Sequence, residues 1–342
     1  MRILNDYDGS SIYIIHNDDK KNIAIVSLKK EENTYCHYYN FKVINDLDKE
    51  GIIYLKNMNN SLYYRSDNYY IPFIKIKDQY QLMDSRRVRK ENNDYIFTID
   101  SNLECEISLY PRYVEEDLNK YLLKVKNYKD FNIINDIIPE IRIGDFKNNV
   151  IAITGRQHPG ETISSFFIEG IIDAVIENKE QCKDYSFIIF PIVNKDGVKN
   201  GNHRYVNNID YNRSWGNNCH IKEIDFIKKE LSKNIPDIFI DIHGDENSLK
   251  DYIRTTNHNR ASKVADMLVL KDQSKLRRLL RGIIKQRKII NIFKTTAREY
   301  VSKKCCCEGM LIELSLRSNT IDEARKKGYQ FILEVIGGKN DE

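Results

Sequence analysis

Arg156-Gln157-His158-Pro159-Gly160-Glu161 lies between an apolar run, Val150 to Thr154, and a stretch with helical periodicity. His158 and Glu161 are three residues apart, and Pro159-Gly160 supplies the sharp turn that lets both side chains converge on one ion. Proline also suits the opening of a helix. The pair reads as two metal ligands in a strand-to-helix turn. Alone it is a weak signal, because a histidine capping a turn and a glutamate on a solvated helix face share that spacing. A third ligand, His243, stands in Asp241-Ile242-His243-Gly244, again at the end of an apolar run. Two histidines and a glutamate that leave a fourth position open make a catalytic zinc shell. One Zn2+ ion is therefore expected.

Around this centre the texture alternates between strand and helix. Val150–Thr154, Ser186–Val193, Ile238–Ile242 and Met310–Leu314 read as buried strands. Apolar residues at 163, 166, 167, 171, 172 and 175 give Glu161–Asn178 a helical period. Further helices are expected over Glu223–Lys233, within Arg260–Gln286, and over Ile321–Ile336. The pattern predicts an α/β domain with a mixed central sheet flanked by helices. Ahead of it, short segments rich in Tyr, Ile and Val alternate with polar turns such as Asn17-Asp18-Asp19. Examples are Ser11–Ile15, Asn22–Val26, Tyr38–Val43 and Tyr95–Ile99. These predict a small all-β sandwich over residues 1–110. A hinge near Tyr110-Pro111 and a helical segment, Val114–Lys126, open the second domain, residues 111–342.

The 342 residues are enough for one large and one smaller domain. A net charge of +4 demands neither nucleic acid nor an acidic membrane as partner. Met1-Arg2-Ile3-Leu4-Asn5-Asp6 has no apolar signal core, and no later run approaches a membrane span. Seven cysteines, an odd number with three adjacent at Cys305–Cys307, do not resemble a secreted disulfide framework. A cytoplasmic location is expected. Neighbouring side chains on an extended chain point apart, so Cys305–Cys307 read as packing residues rather than a second metal site. Cys219-His220 reads as loop.

A second cluster follows the strand ending at Val193: Asn194-Lys195-Asp196-Gly197, Gly201-Asn202-His203-Arg204, and Asp210-Tyr211-Asn212-Arg213-Ser214-Trp215. A planar guanidinium suits a bidentate grip on a carboxylate or a polarised carbonyl. In a chain with 30% charged residues the default is a pair of surface arginines. The density of Asn, Asp and Arg around the only tryptophan argues against that default.

Taken in order, His158-x-x-Glu161, Asn194-x-Asp196-Gly197, Gly201-Asn202-x-Arg204, Asp210-x-Asn212-Arg213-x-Trp215, Asp241-x-His243-Gly244 and Ile312-Glu313-Leu314 resemble the zinc metallocarboxypeptidases of the carboxypeptidase A superfamily. The resemblance covers nearly the whole chain. It is strongest to the cytosolic carboxypeptidase branch, which carries a β-sandwich ahead of the catalytic domain, and Ser108–Leu118 is similar to that branch's domain junction. By this resemblance His158, Glu161 and His243 would hold zinc, and Asp210 would receive the free ring N–H of His158. Arg204 would stabilise the oxyanion of the tetrahedral intermediate. Asn212 and Arg213 would hold the substrate's terminal carboxylate. Glu313 would be the general base that deprotonates the attacking water and then protonates the leaving amine. Glu308 is its rival, but Glu313 stands inside an otherwise apolar strand, where a carboxylate is costly unless it serves a purpose. Lys195 replaces a usual proline, Asn208 a common glycine, and Asp245-Glu246 stands where another histidine often sits. These departures bear on pocket shape and remove no ligand.

Residues 271–304 hold twelve Lys and Arg against Asp272 and Glu299. Lys275, Arg278 and Arg281 lie at helical spacing and read as a solvated face. No aromatic stacking pattern accompanies them, so no nucleic acid is expected. Arg298 falls about where the family reads the substrate's last side chain, with Lys294, Lys303 and Lys304 as rivals. A cation there would favour a C-terminal Glu or Asp, and a cell-wall peptide ending in a diamino acid could use it too. The leading reading is a metallocarboxypeptidase acting on peptide or protein C-termini. A deacylase or amidase on a small amino-acid conjugate, and a catalytically silent peptide-binding protein, remain alternatives.

Overall fold

A computed structural model describes all residues except 32–37, 59–70, 129–130, 148, 217–218, 247, 249, 256–270, 273–294, 317–318 and 338–342. Apart from Lys271–Asp272, which form a short strand, the stretch Arg260–Gln286 in which a helix is expected lies outside the described residues, as do Lys275, Arg278, Arg281 and Lys294. The chain divides into two compact units. One comprises Met1–Glu116 and Asp196–Ile209, the other Asp117–Lys195 and Asp210–Glu342. The main chain changes unit after Glu116, and the first unit takes a second, distant segment.

The first unit begins with strands β1 (Arg2–Leu4), β2 (Ile12–Asp18), β3 (Ile23–Leu28), β4 (Asn40–Asn45) and β5 (Gly51–Lys56). It continues with β6 (Phe73–Ile76), β7 (Gln79–Leu82), β8 (Val88–Glu91), β9 (Asp94–Ile99) and β10 (Leu103–Ser108). Two five-stranded sheets result, ordered β1-β4-β10-β6-β7 and β2-β3-β5-β9-β8. In β5, Ile53 and Leu55 are buried while Ile52 and Tyr54 are half-buried, the period-two signature of a sheet with one face on a core. Phe41 of one sheet meets Phe97 of the other with ring centroids 6.5 Å apart. This is the expected small β-sandwich. The segment 196–209 is bound into the unit by its backbone. Gly9 N–H donates to Lys199 O at 2.8 Å. The buried Glu31 carboxylate accepts the N–H groups of His203, Arg204 (3.0 Å) and Tyr205 (2.9 Å). Gly201 has φ +64°, and a Cβ there would lie 2.1 Å from Ser10 O, so only glycine fits.

In the second unit, β11 (Phe131–Asn135), β12 (Pro139–Ile143) and β13 (Asn149–Gly155) follow helix α1 (Glu115–Val125). Then come α2 (Ile163–Glu177), β14 (Tyr185–Phe190), α3 (Lys222–Lys233), β15 (Ile238–Asp245), β16 (Tyr252–Thr255) and β17 (Lys271–Asp272). Helix α4 (Ala297–Cys305), β18 (Glu308–Ser315) and α5 (Ile321–Gly337) complete the unit. The strands form one sheet in the order β11-β12-β14-β13-β15-β18-β16-β17. Its centre, β14-β13-β15-β18, is parallel, whereas β12 on one side and β16 on the other join it antiparallel. It is the mixed sheet expected from the sequence.

Register decides what each face carries. Thr154 pairs Asp241 and Asp241 pairs Leu311; His243 pairs Glu313 and Glu313 pairs Tyr252. Paired residues point to the same side, and residues alternate along a strand. One face therefore bears Thr154, Asp241, His243, Leu311, Glu313, Tyr252 and Arg254. The other bears Ile153, Ile240, Ile242, Met310 and Ile312. Ile168 of α2 reaches the apolar face at Gly155. Helix α4 covers part of the polar face, where Trp215 lies between Phe239 and Tyr300 at 6.3 and 6.2 Å. Beneath the apolar face, α2 and α5 touch backbone to backbone. A Cβ on Gly170 would come 1.9 Å from Arg325 O, and one on Gly328 2.0 Å from Phe167 O.

Candidate metal centre

At the carboxyl end of β13 the chain must turn sharply, and Arg156 takes a left-handed φ of 55° to do it. Its buried guanidinium then grips the turn it opens. Nε donates to Pro159 O at 2.9 Å and Nη1 to Ser165 Oγ at 2.9 Å. Glu161 N–H closes the loop on His158 O at 3.2 Å. This clamp was not anticipated from the sequence.

The turn delivers His158 and Glu161 to His243 near the end of β15. His158 Nδ1 lies 2.6 Å from Glu161 Oε1, and His243 Nδ1 lies 2.8 Å from Glu161 Oε2. One ligand atom from each residue falls within 4.8 Å of the others, and all three residues are buried. Behind the rings, His158 Nε2 is 3.1 Å from Asp210 Oδ1 and His243 Nε2 is 3.0 Å from Asp241 Oδ2. Each imidazole thus has a carboxylate at its back and turns Nδ1 toward its neighbours. Two imidazole nitrogens and a carboxylate with supporting acceptors form a donor set suited to one zinc ion. Burial would raise the Glu161 carboxyl, but the His158 and His243 rings hold it well below its usual range. Burial would lower His243, yet Asp241 and Glu161 hold it well above. The metal-free cluster therefore keeps positive charge on the imidazole, in the place a divalent cation would serve.

Glu313 stands beside this cluster, one strand over and level with His243. Burial pushes its carboxyl up to about 8; Glu161 and Asp245 add to that, while His243 and Arg254 oppose it. Asp245 in turn accepts a 2.8 Å hydrogen bond from Tyr252. Glu308 is about 16 Å from Glu313 along β18 at the usual rise per residue. It faces the other side of the sheet and accepts from Thr255 Oγ1 at 3.0 Å.

Asp210 and Asn212 also converge on the histidines, at a short helical turn, Tyr211–Arg213. Asn212 is buried: its Oδ1 accepts Ala297 N–H at 3.0 Å, and its Nδ2 is 2.9 Å from His243 Nε2. Arg213 is half-buried and donates to Asn212 O at 2.8 Å. Arg204 belongs to the segment of the first unit, where its guanidinium lies 5.9 Å from the centre of the Tyr205 ring. Arg298 sits on α4, where its Cγ would be 3.0 Å from a Cβ on Gly309. Lys303 and Lys304 lie in the last turn of that helix. Arg254, which the sequence reading passed over, projects from β16 on the Glu313 face, in register with Leu311.

Residues 118–275 match the family model for zinc carboxypeptidases. The chain is 40% identical over 102 residues to a putative zinc carboxypeptidase of Plasmodium falciparum (isolate 3D7), a match covering 27% of this chain and 6% of that protein. It is 32% identical over 139 residues to cytosolic carboxypeptidase 1 of Xenopus laevis, covering 34% of this chain and 11% of that one. The chain thus spans only a small part of the length of these relatives. Its fold is similar to that of a putative carboxypeptidase A from Shewanella denitrificans OS-217, with a TM-score of 0.80, 15% identity, and coverage of 100% of this chain and 99% of the other. That likeness concerns the fold alone. All three residues of the buried triad lie within the stretch that the family model matches.

Proposed function

We propose that this chain is a zinc-dependent metallocarboxypeptidase of the cytosolic type, which removes the last residue of peptides or proteins and prefers a terminal Glu or Asp. The observation that carries the reading is Glu313, level with His243 on the sheet face that bears the triad. Zinc, when bound, supplies Lewis acidity to the attacking water and the scissile carbonyl. Glu313 takes the proton from the attacking water and returns it to the leaving amine, a role that its place level with His243 suits. Asp210 holds the His158 ring. Asn212 and Arg213 are assigned the terminal carboxylate and Arg204 the oxyanion, all by resemblance; Arg213 is the more solvent-facing member of the clamp.

The acidic preference is supported by two arginines on the Glu313 face. Arg254 is level with Leu311, and Arg298 reaches the same face at Gly309, one side-chain step further from the triad. A cytoplasmic site of action belongs to the same proposal and rests on the odd, partly adjacent cysteines.

The test is mass spectrometry of peptides that differ only in their last residue: Glu, Asp, Lys, Phe, or a diamino acid on a γ-linked glutamate. Zinc-loaded protein should release single acidic residues. Glu313→Gln should slow release by roughly a hundred- to ten-thousand-fold while keeping its zinc. Zinc-loaded protein that shortens no peptide would overturn the reading in favour of a conjugate deacylase or a silent binder.

A further inference from the structure

Asp241 is fully buried two residues before His243, on the same face of β15. A carboxylate in such a place is costly unless its lone pairs are occupied, and here they are. Oδ1 accepts from Thr154 Oγ1 at 2.8 Å and from Gln157 Nε2 at 2.6 Å. Oδ2 faces His243 Nε2 at 3.0 Å. Gln157 is itself fully buried, and its Oε1 accepts from Trp215 Nε1 at 2.7 Å. The backbone of Gln157 is held as well, by Asn194 Nδ2 at 3.3 Å from its carbonyl. A continuous buried chain therefore runs from the indole of Trp215 through Gln157 and Asp241 to the back of the His243 ring.

Two groups compete for that ring nitrogen, since Asn212 Nδ2 is also only 2.9 Å away. Asn212 Oδ1 is committed to Ala297 N–H, so the face it turns to His243 is its donor. A carboxylate can only accept. Nε2 cannot both donate to Asp241 and accept from Asn212. The charge-assisted bond to the carboxylate is the stronger, so Nε2 carries the proton and the Asn212 amide packs against the ring. In the neutral ring that a metal requires, the lone pair is then on Nδ1, the nitrogen that faces Glu161.

We infer that Asp241, held by Thr154 and by the Trp215–Gln157 chain, is the positioning residue that fixes His243 as an Nδ1 ligand and so strengthens zinc binding at the His158–Glu161–His243 cluster. The inference rests on reading that cluster as the metal centre. Each histidine then has its own carboxylate, Asp210 for His158 and Asp241 for His243. Asp241 is held from behind by two neutral donors, Thr154 and Gln157. Partners of this kind typically change metal affinity by roughly ten- to a hundredfold.

The test is the zinc dissociation constant, measured by chelator competition on the full chain, for wild type, Asp241→Asn, Thr154→Val and Trp215→Phe. Asp241→Asn is expected to weaken zinc binding by roughly ten- to a hundredfold, with the other two weaker by a smaller factor in the same direction. The visible bands of the cobalt-loaded protein should shift in Asp241→Asn, which a loss of general stability would not cause. Melting of the metal-free proteins shows which variants fold, and if Asp241→Asn does not, Thr154→Val carries the same comparison. Unchanged zinc affinity and cobalt bands in the folded variants would overturn the inference while leaving the metal centre standing. A wild type that binds no zinc would overturn both.

Discussion

At Glu313 a carboxyl group is raised to about 8 by burial and by the carboxylates around it. An unfolded glutamate loses its proton near pH 4.3, so between about that pH and 8 the folded, metal-free protein binds one proton more than the unfolded chain. Stability must then fall as pH rises through that window and level off above it. The melting temperature of metal-free wild type should drop more steeply from about pH 5 to pH 8 than that of Glu313→Gln. Added zinc should flatten the difference, because a nearby cation favours the ionised carboxylate. Parallel melting curves for the two proteins would refute this. At this scale the sequence was informative where spacing is local: His158 and Glu161 share one turn, and Glu313 interrupts an apolar strand. It was silent on Arg156, Gln157 and Arg254. Their importance comes from segments that only folding brings to them: Trp215 reaches Gln157 across 58 positions.

Among the elements, the contact of α2 with α5 is the least forgiving. Glycine inside a helix ordinarily costs about 1 kcal/mol against alanine, so Gly328→Ala would stabilise an isolated helix. Here its Cβ would sit 2.0 Å from the backbone oxygen of Phe167, which cannot swing aside as a side chain could. Overpacking of this kind costs on the order of 1–3 kcal/mol or more. Gly328→Ala should lower the denaturant midpoint, and Gly337→Ala, whose Cβ would meet among the described residues only Gln181 Nε2 at 3.8 Å, should not. Equal midpoints would mean that the helices can separate at little cost. Both helices were readable from their 3.6-residue period, to within two residues for α2 and one for α5. Strand β16 was not, because four residues including Arg254 are too few for a periodic signal. Helix α4 was hidden in a basic run, although Thr296 and Glu299 form a capping box at its start.

For the whole molecule, one of the two units is built from segments far apart in the sequence. Alternating apolar residues announced the sandwich, yet nothing local showed that residues 196–209 belong to it, since Glu31 meets its partners more than 170 positions away. A fragment of Met1–Glu116 would leave that buried carboxylate without the N–H groups of His203, Arg204 and Tyr205. Such a fragment should melt without a cooperative transition; a sharp transition by circular dichroism would show the segment to be dispensable. The same threading sets a timetable during biosynthesis. Domains near the amino terminus usually fold first as the chain leaves the ribosome. Here the first unit lacks its last segment until Ile209 has emerged, by which time Asp117–Lys195 is already outside and still without β15 and β18. The first unit can thus be completed ahead of the second but not before Ile209, so a pause in translation between residues 116 and 196 would leave an unfinished sandwich waiting on the ribosome.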